Sequence, residues 1–237
     1  MRLDKFLTAT AVATRSEAGK AARSGKILVN GAPCKSAAVH IDPEKDEVYY
    51  CGERVVYRKY TYIMLNKPQG YVSATEDNND KTVLELLPEK LRSIGLFPCG
   101  RLDKNTTGLM LLTDNGDLGH KLLSPKYHVS KTYGFKCEAP LSDEDVKKLE
   151  EGVYIAGGHL TKPAEIKLFE TKTQGEITIT EGKYHQIKLM LEAVKNKITE
   201  LERLTFGPLV KDGKLAEGEW RYLTDEEVKM LENHCEH

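Results

Sequence analysis

Four consecutive apolar residues, Leu109 to Leu112, stand between polar turns in the segment GRLDKNTTGLMLLTDNG, which runs from Gly100 to Gly116. A short apolar run bounded by turn signals reads as a strand covered on both faces, and such a strand needs further layers packed around it. Directly before it, after the short run LFPC, Asp103 sits between Arg101 and the turn NTTG. A lone carboxylate is thus placed at an edge between two core segments.

The neighbouring sequence supplies partners for that strand. YTYIMLNKPQGYVSAT predicts an apolar strand entering a Lys67-Pro68-Gln69-Gly70 turn and leaving as another strand. TVLELLPEKLRSIG predicts a short helix broken at Pro88, and DLGHKLL a helix after a turn or cap at Asp114. SKTYGFKCEAPL reads as a strand, and SDEDVKKLEEGV as an acidic helix capped by Ser142. ITITEGKYHQIKLMLEAV reads as a strand, a turn at Gly182 and a helix with Lys188 near its start. KITELERLTFGPLV is strand-like, and TDEEVKMLENH forms a closing helix. Without a regular βαβ period, the expected class is α+β with a mainly antiparallel sheet.

The first residues form a different unit. Leu3, Phe6, Leu7 and Thr10 recur at helical spacing, and Thr14-Arg15-Ser16-Glu17 is a capping-box pattern that starts a second helix stopping at Gly25. KILVNGAPCKS predicts a hairpin turning at Asn30-Gly31. Arg58-Lys59 marks the exit, giving domains at residues 1–58 and 60–237. The net charge of the 237-residue chain is only -1, but its distribution matters more than its sum. Arg2, Lys5, Arg15, Lys20, Arg23, Lys26 and Lys35 face only Asp4 and Glu17 within the first forty-one residues, while EDNND, SDEDVKKLEE and TDEEVKMLE concentrate acid elsewhere. Arg2, Lys5, Arg15, Arg23 and Lys26 together are a phosphate-binding cluster.

Several chemistries lack their signatures. No apolar run approaches the ~20 residues that span a bilayer, and the polar MRLDKFLTAT does not resemble a secretory leader, so a cytoplasmic protein without a membrane partner is expected. The five cysteines carry no C-x-x-C pair and read as reduced structural thiols. There is no G-x-S-x-G, phosphate loop or dinucleotide fingerprint. Asp103, Asp114 and Asp117 could serve a two-metal nuclease by type, yet DNGD is also an ordinary turn and helix cap. His185 lies at a strand-helix junction, where a structural role or a phosphate or ribose contact is expected.

RLDKFL followed by TRSEAGKAARSGKILVNG resembles the S4 RNA-binding module over about residues 1–48. Along the remainder, LNKPQGYV, GRLDKNTTGLMLLTDNG, KTY, LTKPAEI, EGKYHQIKLM and LERLTFGPL resemble, in this order, the RsuA-type pseudouridine synthases. The resemblance implies an S4-like domain followed by a pseudouridine synthase domain. It also implies isomerisation of a specific uridine in small-subunit (16S) ribosomal RNA, without a cofactor or metal. The implied partner is structured ribosomal RNA or a small-subunit assembly intermediate, met by a monomer.

By the same resemblance Asp103 is the catalytic aspartate, acting on a uridine flipped from its stack. Tyr133 packs against the uracil, and Lys188 pairs with the aspartate, since a neighbouring cation stabilises a charged carboxylate. Arg101 fills the vacated space or holds phosphate, and Leu201 lines the uracil pocket. Leu189 departs from the family pattern, where a second basic residue is common. Two alternatives are a synthase for large-subunit RNA and a non-enzymatic S4-type ribosome-assembly factor.

Overall fold

The computed structural model describes residues 1–57 and 59–235. Arg58, half of the expected interdomain exit, lies outside them. The chain divides into two compact units: Met1–Thr61 with Leu87–Leu96, and Tyr62–Leu86 with Phe97 onward.

The first unit contains α1 (Leu3–Ala9), α2 (Arg15–Arg23), β1 (Ile27–Val29), β2 (Ala32–Pro33), β3 (Val48–Tyr50), β4 (Glu53–Val55) and α3 (Glu89–Arg92). The Thr14 hydroxyl accepts from the Glu17 N–H, and the Glu17 carboxylate accepts from the Thr14 N–H, so two orphan donors of α2 are satisfied. Asn30 and Gly31 both take positive φ, 52° and 79°, as a two-residue hairpin turn demands. The strands order as β2-β1-β3-β4, and Leu3, Phe6, Leu7, Ala18, Ala22, Ile27 and Val48 fill the core beneath them.

The second unit runs β5 (Tyr62–Lys67), β6 (Phe97–Cys99), β7 (Thr107–Thr113), α4 (Gly116–Leu123), β8 (Lys131–Cys137), α5 (Asp143–Glu151), β9 (Tyr154–Ile155), β10 (His159–Leu160), β11 (Glu165–Leu168), β12 (Gln174–Ile179), α6 (Gln186–Ala193), β13 (Ile198–Arg203), β14 (Thr205–Phe206), β15 (Leu209–Val210), β16 (Trp220–Tyr222) and α7 (Asp225–His234). An eight-stranded sheet ordered β11-β12-β8-β13-β7-β5-β16 organises it, with β6 also on β7. Only the β13/β7 pair is parallel among the described ladders of that sheet, which makes the chain α+β with a mainly antiparallel sheet.

The apolar run is the centre of this sheet: Leu109, Met110, Leu111 and Leu112 are all fully buried on β7. Burial of each such side chain contributes about 1.5–3 kcal/mol. On one flank β5 pairs with β7 from Gly108 to Thr113, and on the other β13 meets its start and β6 its end. Two local expectations differ. The segment after Gly70 makes only an isolated bridge between Val72 and Thr82, and its Ser73 hydroxyl is engaged by the Asp103 loop described below. Asn115, not Asp114, caps α4, its side chain accepting from the Leu118 N–H at 3.1 Å. The cysteines are free, and burial pushes the Cys99 thiol up to about 12, in keeping with inert packing.

Gly108 shows why the motif carries a glycine before the apolar run. Its φ is +97°, and a Cβ there would lie 2.4 Å from the Arg203 carbonyl oxygen and 2.7 Å from the Arg203 nitrogen on the parallel strand. Gly116, at the first position of α4, has open space around it. Urea denaturation should therefore show Gly108→Ala destabilised by about 3 kcal/mol or more, and Gly116→Ala unchanged or stabilised by about 0.5 kcal/mol.

Candidate active site

Asp103 stands in the loop between β6 and β7, and two interactions fix that loop before any partner of its carboxylate is considered. The Ser73 hydroxyl donates to the Leu102 carbonyl at 2.8 Å and accepts from the Leu102 N–H at 2.9 Å. Lys67, the last residue of β5, is fully buried, and its ammonium donates to the carbonyl oxygens of Thr106 at 2.8 Å, Asp103 and Pro68 at 3.1 Å, and Lys104 at 3.3 Å. The Gly70 N–H also donates to the Lys104 carbonyl. The segment KPQGYVS is therefore the cradle of the segment GRLDKNT.

The Asp103 side chain is one-quarter exposed, and its Oδ2 accepts from Lys188 Nζ at 2.6 Å. His185 Nε2 lies 3.4 Å from the other oxygen. Both partners come from the start of α6, whose position is set by a carboxylate node. Glu181 accepts from Gln186 Nε2 at 2.7 Å and from the Lys162 N–H at 2.8 Å, with His159 Nε2 at 3.2 Å. Buried Gln186 returns its carbonyl to the Lys183 N–H.

Tyr133 lies in one row across the sheet, in which register pairs Ile177, Tyr133, Arg203, Gly108 and Lys67 in turn. Directly opposed antiparallel residues share a face, so Tyr133 and Arg203 project together, and Leu201 opposite Phe135 follows two residues along. Tyr133 and Leu201 are buried. Arg203 is 1% exposed, with Nε donating to the Leu109 carbonyl at 2.7 Å and its guanidinium 5.0 Å from the Phe206 ring centroid. Lys131 Nζ lies 5.8 Å from the same ring, and burial together with Arg203 lowers this lysine to about 8. The described contacts join the Asp103 carboxylate directly to Lys188 and His185; none joins it to Tyr133, which shares only the sheet row that ends at Lys67.

Arg101 is exposed. In the first unit Arg2, Lys5, Arg15, Arg23 and Lys26 are all exposed as well. Arg2 ion-pairs with Asp4 at 2.6 Å, and that hydrogen bond, joined by the charge of Arg15, holds the Asp4 carboxyl below its usual range. Among the described residues no three His, Cys, Asp or Glu side chains gather as a metal-binding set, so Asp103, Asp114 and Asp117 do not form one. Likewise no helix is long and apolar enough to cross a membrane.

The sequence reading passed over Lys67, Ser73 and Glu181. The available signal was a lysine ending a strand that begins as the apolar run Tyr62–Leu65, since an unpaired buried ammonium is costly.

The second unit thus presents one carboxylate against a lysine, and a small basic helix-and-hairpin unit precedes it in the chain. Residues 61–193 match the family described as RNA pseudouridylate synthase, and residues 1–48 match the S4 domain. The chain is 48% identical over 236 residues to the uncharacterized RNA pseudouridine synthase YtzG of Bacillus subtilis (strain 168), covering 98% of each. It is 41% identical to the ribosomal small subunit pseudouridine synthase A of Escherichia coli (strain K12), over 98% of this chain and 100% of that protein. A crystal structure of a pseudouridylate synthase superposes with TM-score 0.69 at 39% identity, covering 98% of this chain and 99% of that one. The chain belongs to the RNA pseudouridylate synthase family and is a pseudouridine synthase.

Burial lowers Lys67 from 10.5 to about 8, against an opposing pull from Asp103. Because the folded value lies below the unfolded one, the cost of burying this charge is present below pH 8 and is relieved as pH rises towards 10.5. Global stability should rise across that window, and Lys131 adds in the same direction. Activity should instead fall through about pH 8, as the clamp loses a donor, and this limb should persist in Lys131→Met. Lys67→Met should lower turnover roughly 100-fold by displacing the Asp103 loop and cost about 2–4 kcal/mol of stability. Tritium-release rates and denaturation curves across pH 6 to ~10 measure both trends.

Proposed function

We propose that the protein isomerises a specific uridine to pseudouridine in 16S ribosomal RNA, with Asp103 as the single catalytic carboxylate acting on a flipped-out uridine. The observation that carries this reading is the Asp103–Lys188 ion pair at 2.6 Å, formed by groups 85 residues apart on a loop clamped by Lys67. The full-length similarity to a small-subunit enzyme favours that RNA over the large-subunit alternative.

The reaction breaks the N1–C1′ bond, turns the uracil within the site and joins C5 to C1′. The proton on C5 leaves and N1 gains one, so there is no net redox change. Glycosidases use two carboxylates to deliver water to the sugar, whereas here water must be excluded and the base retained. One carboxylate is enough for that task, either as nucleophile on the sugar or base, or as base on the ribose. Lys188, 2.6 Å away, holds it in place. Tyr133 packs on the uracil, Leu201 lines its pocket, and Arg101, free in solvent, fills the vacated stack or binds phosphate.

Residues 1–58 are assigned to RNA binding through Arg2, Lys5, Arg15, Arg23 and Lys26, and residues 60–237 to catalysis, in a monomer acting in the cytoplasm. Purified protein should release tritium from C5-labelled uridine in small-subunit RNA or a precursor particle without added metal. Asp103→Asn should abolish release while RNA binding persists. Binding without release by the wild type would support an assembly factor. Removing residues 1–58 should weaken binding and flatten its salt dependence, because fewer phosphates are neutralised; an unchanged salt slope would contradict the assignment of that unit.

A further inference from the structure

Beside the Asp103 carboxylate stands an exposed aromatic pair that neither the fold nor the reaction above employs. Tyr184 is 76% exposed, and one face of its ring stacks on His185 with centroids 3.8 Å apart and planes at 18°. His185 in turn places Nε2 3.4 Å from Asp103 Oδ1. The three groups form a short ladder running outward from the reactive carboxylate.

Local structure holds that ladder at some cost. His185 has φ 51° and ψ 26°, in the left-handed region, at the N-cap of α6, and its side chain makes no capping hydrogen bond. A Ser, Asp or Asn would cap the helix better, and a non-glycine residue in this conformation is strained. The turn is closed by the Lys183 N–H donating to Gln186 Oε1 at 2.9 Å and the Gln186 N–H donating to the Lys183 carbonyl at 3.2 Å. Tyr184 is thereby aimed into solvent, although a ring of its size stabilises a fold most when buried. Its chain neighbours Gly182 and Lys183 are exposed and add no apolar side chain to it.

We propose that Tyr184, backed by His185, is a stacking subsite for the nucleobase next to the uridine being isomerised. This rests on the placement of the reacting uridine at Asp103. When that uridine leaves its stack, the adjacent base loses a partner. Tyr184 has one face free and one filled by His185, so it accepts a single base in replacement. Stacking on tyrosine tolerates any base, and Lys183 beside it offers a cation to the backbone.

The test first maps the modified uridine in small-subunit RNA by carbodiimide treatment and primer extension. Short RNAs spanning it are then made with natural neighbours, or with an abasic nucleotide on one side or the other. On natural RNA, Tyr184→Ala should raise KM about 10-fold with kcat within about twofold, and Tyr184→Phe should behave as wild type. On the RNA lacking the stacked base, wild type and Tyr184→Ala should have the same KM. An unchanged KM in Tyr184→Ala, an equal penalty on both abasic RNAs, or a fall in kcat alone would overturn the subsite, the last by making Tyr184 a support for His185. A wild type that releases no tritium from any RNA would overturn the underlying function and the subsite with it.

Discussion

A buried ammonium at Lys67 holds four backbone carbonyls, and the geometry of the Asp103 loop depends on it. The loop leaves β6 at Cys99 and enters β7 at Thr107, and between them it has no ladder to hold it. Backbone oxygens of Asp103, Lys104 and Thr106 instead converge on one nitrogen carried by the neighbouring strand. Desolvating a lysine is expensive, and its lowering to about 8 records that cost. The return is positional: each carbonyl satisfied from beneath removes a way for the loop to relax, and the aspartate is aimed by its backbone before its side chain meets Lys188.

Distant segments assemble this one site. Lys67 belongs to β5, Asp103 to the loop before β7, and Lys188 to α6, and the pairing of β5 with β7 and the reach of Lys188 from α6 bring these groups together. The row through Tyr133, Arg203, Gly108 and Lys67 does for the sheet what Lys67 does for the loop. Gly108 lets β13 approach β7 closely enough for parallel pairing, and Arg203, bonded to the Leu109 carbonyl, fastens the joint from the other strand. A side chain at position 108 would separate the strand that follows Asp103 from the strand beside Tyr133.

Features governed by local sequence were legible. The Thr14–Glu17 box, the Ser142 cap, the Asn30-Gly31 turn and the buried run from Leu109 to Leu112 each depend on a few consecutive residues. The pairing of Asp103 with Lys188 came from family resemblance, since nothing in periodicity connects positions so far apart. The strand expected after Gly70 failed for a physical reason: Ser73 bonds to Leu102 and draws that segment over the Asp103 loop, away from a ladder. Lys67 and Glu181 were missed because a charged residue is read as solvent-facing unless its partners are known. The partners of Lys67 are backbone carbonyls, which leave no trace in side-chain patterns, and those of Glu181 are Gln186, His159 and the Lys162 N–H, which only the fold brings together.

The electrostatics beneath the site follow from the same choice of partners. Lys67 and Lys131 are solvated by carbonyl dipoles, and Arg203 by a carbonyl and an aromatic face, without a carboxylate among their described hydrogen bonds. Carbonyl oxygens solvate a cation without cancelling its charge. The row behind Asp103 therefore keeps a positive field that a buried acid in each pair would have removed. In a site that works on a base attached to polyanionic RNA, such a field favours the incoming backbone. A carboxylate opposite Arg203 would stabilise the guanidinium and weaken that field, which gives a physical reason for burying these cations against backbone.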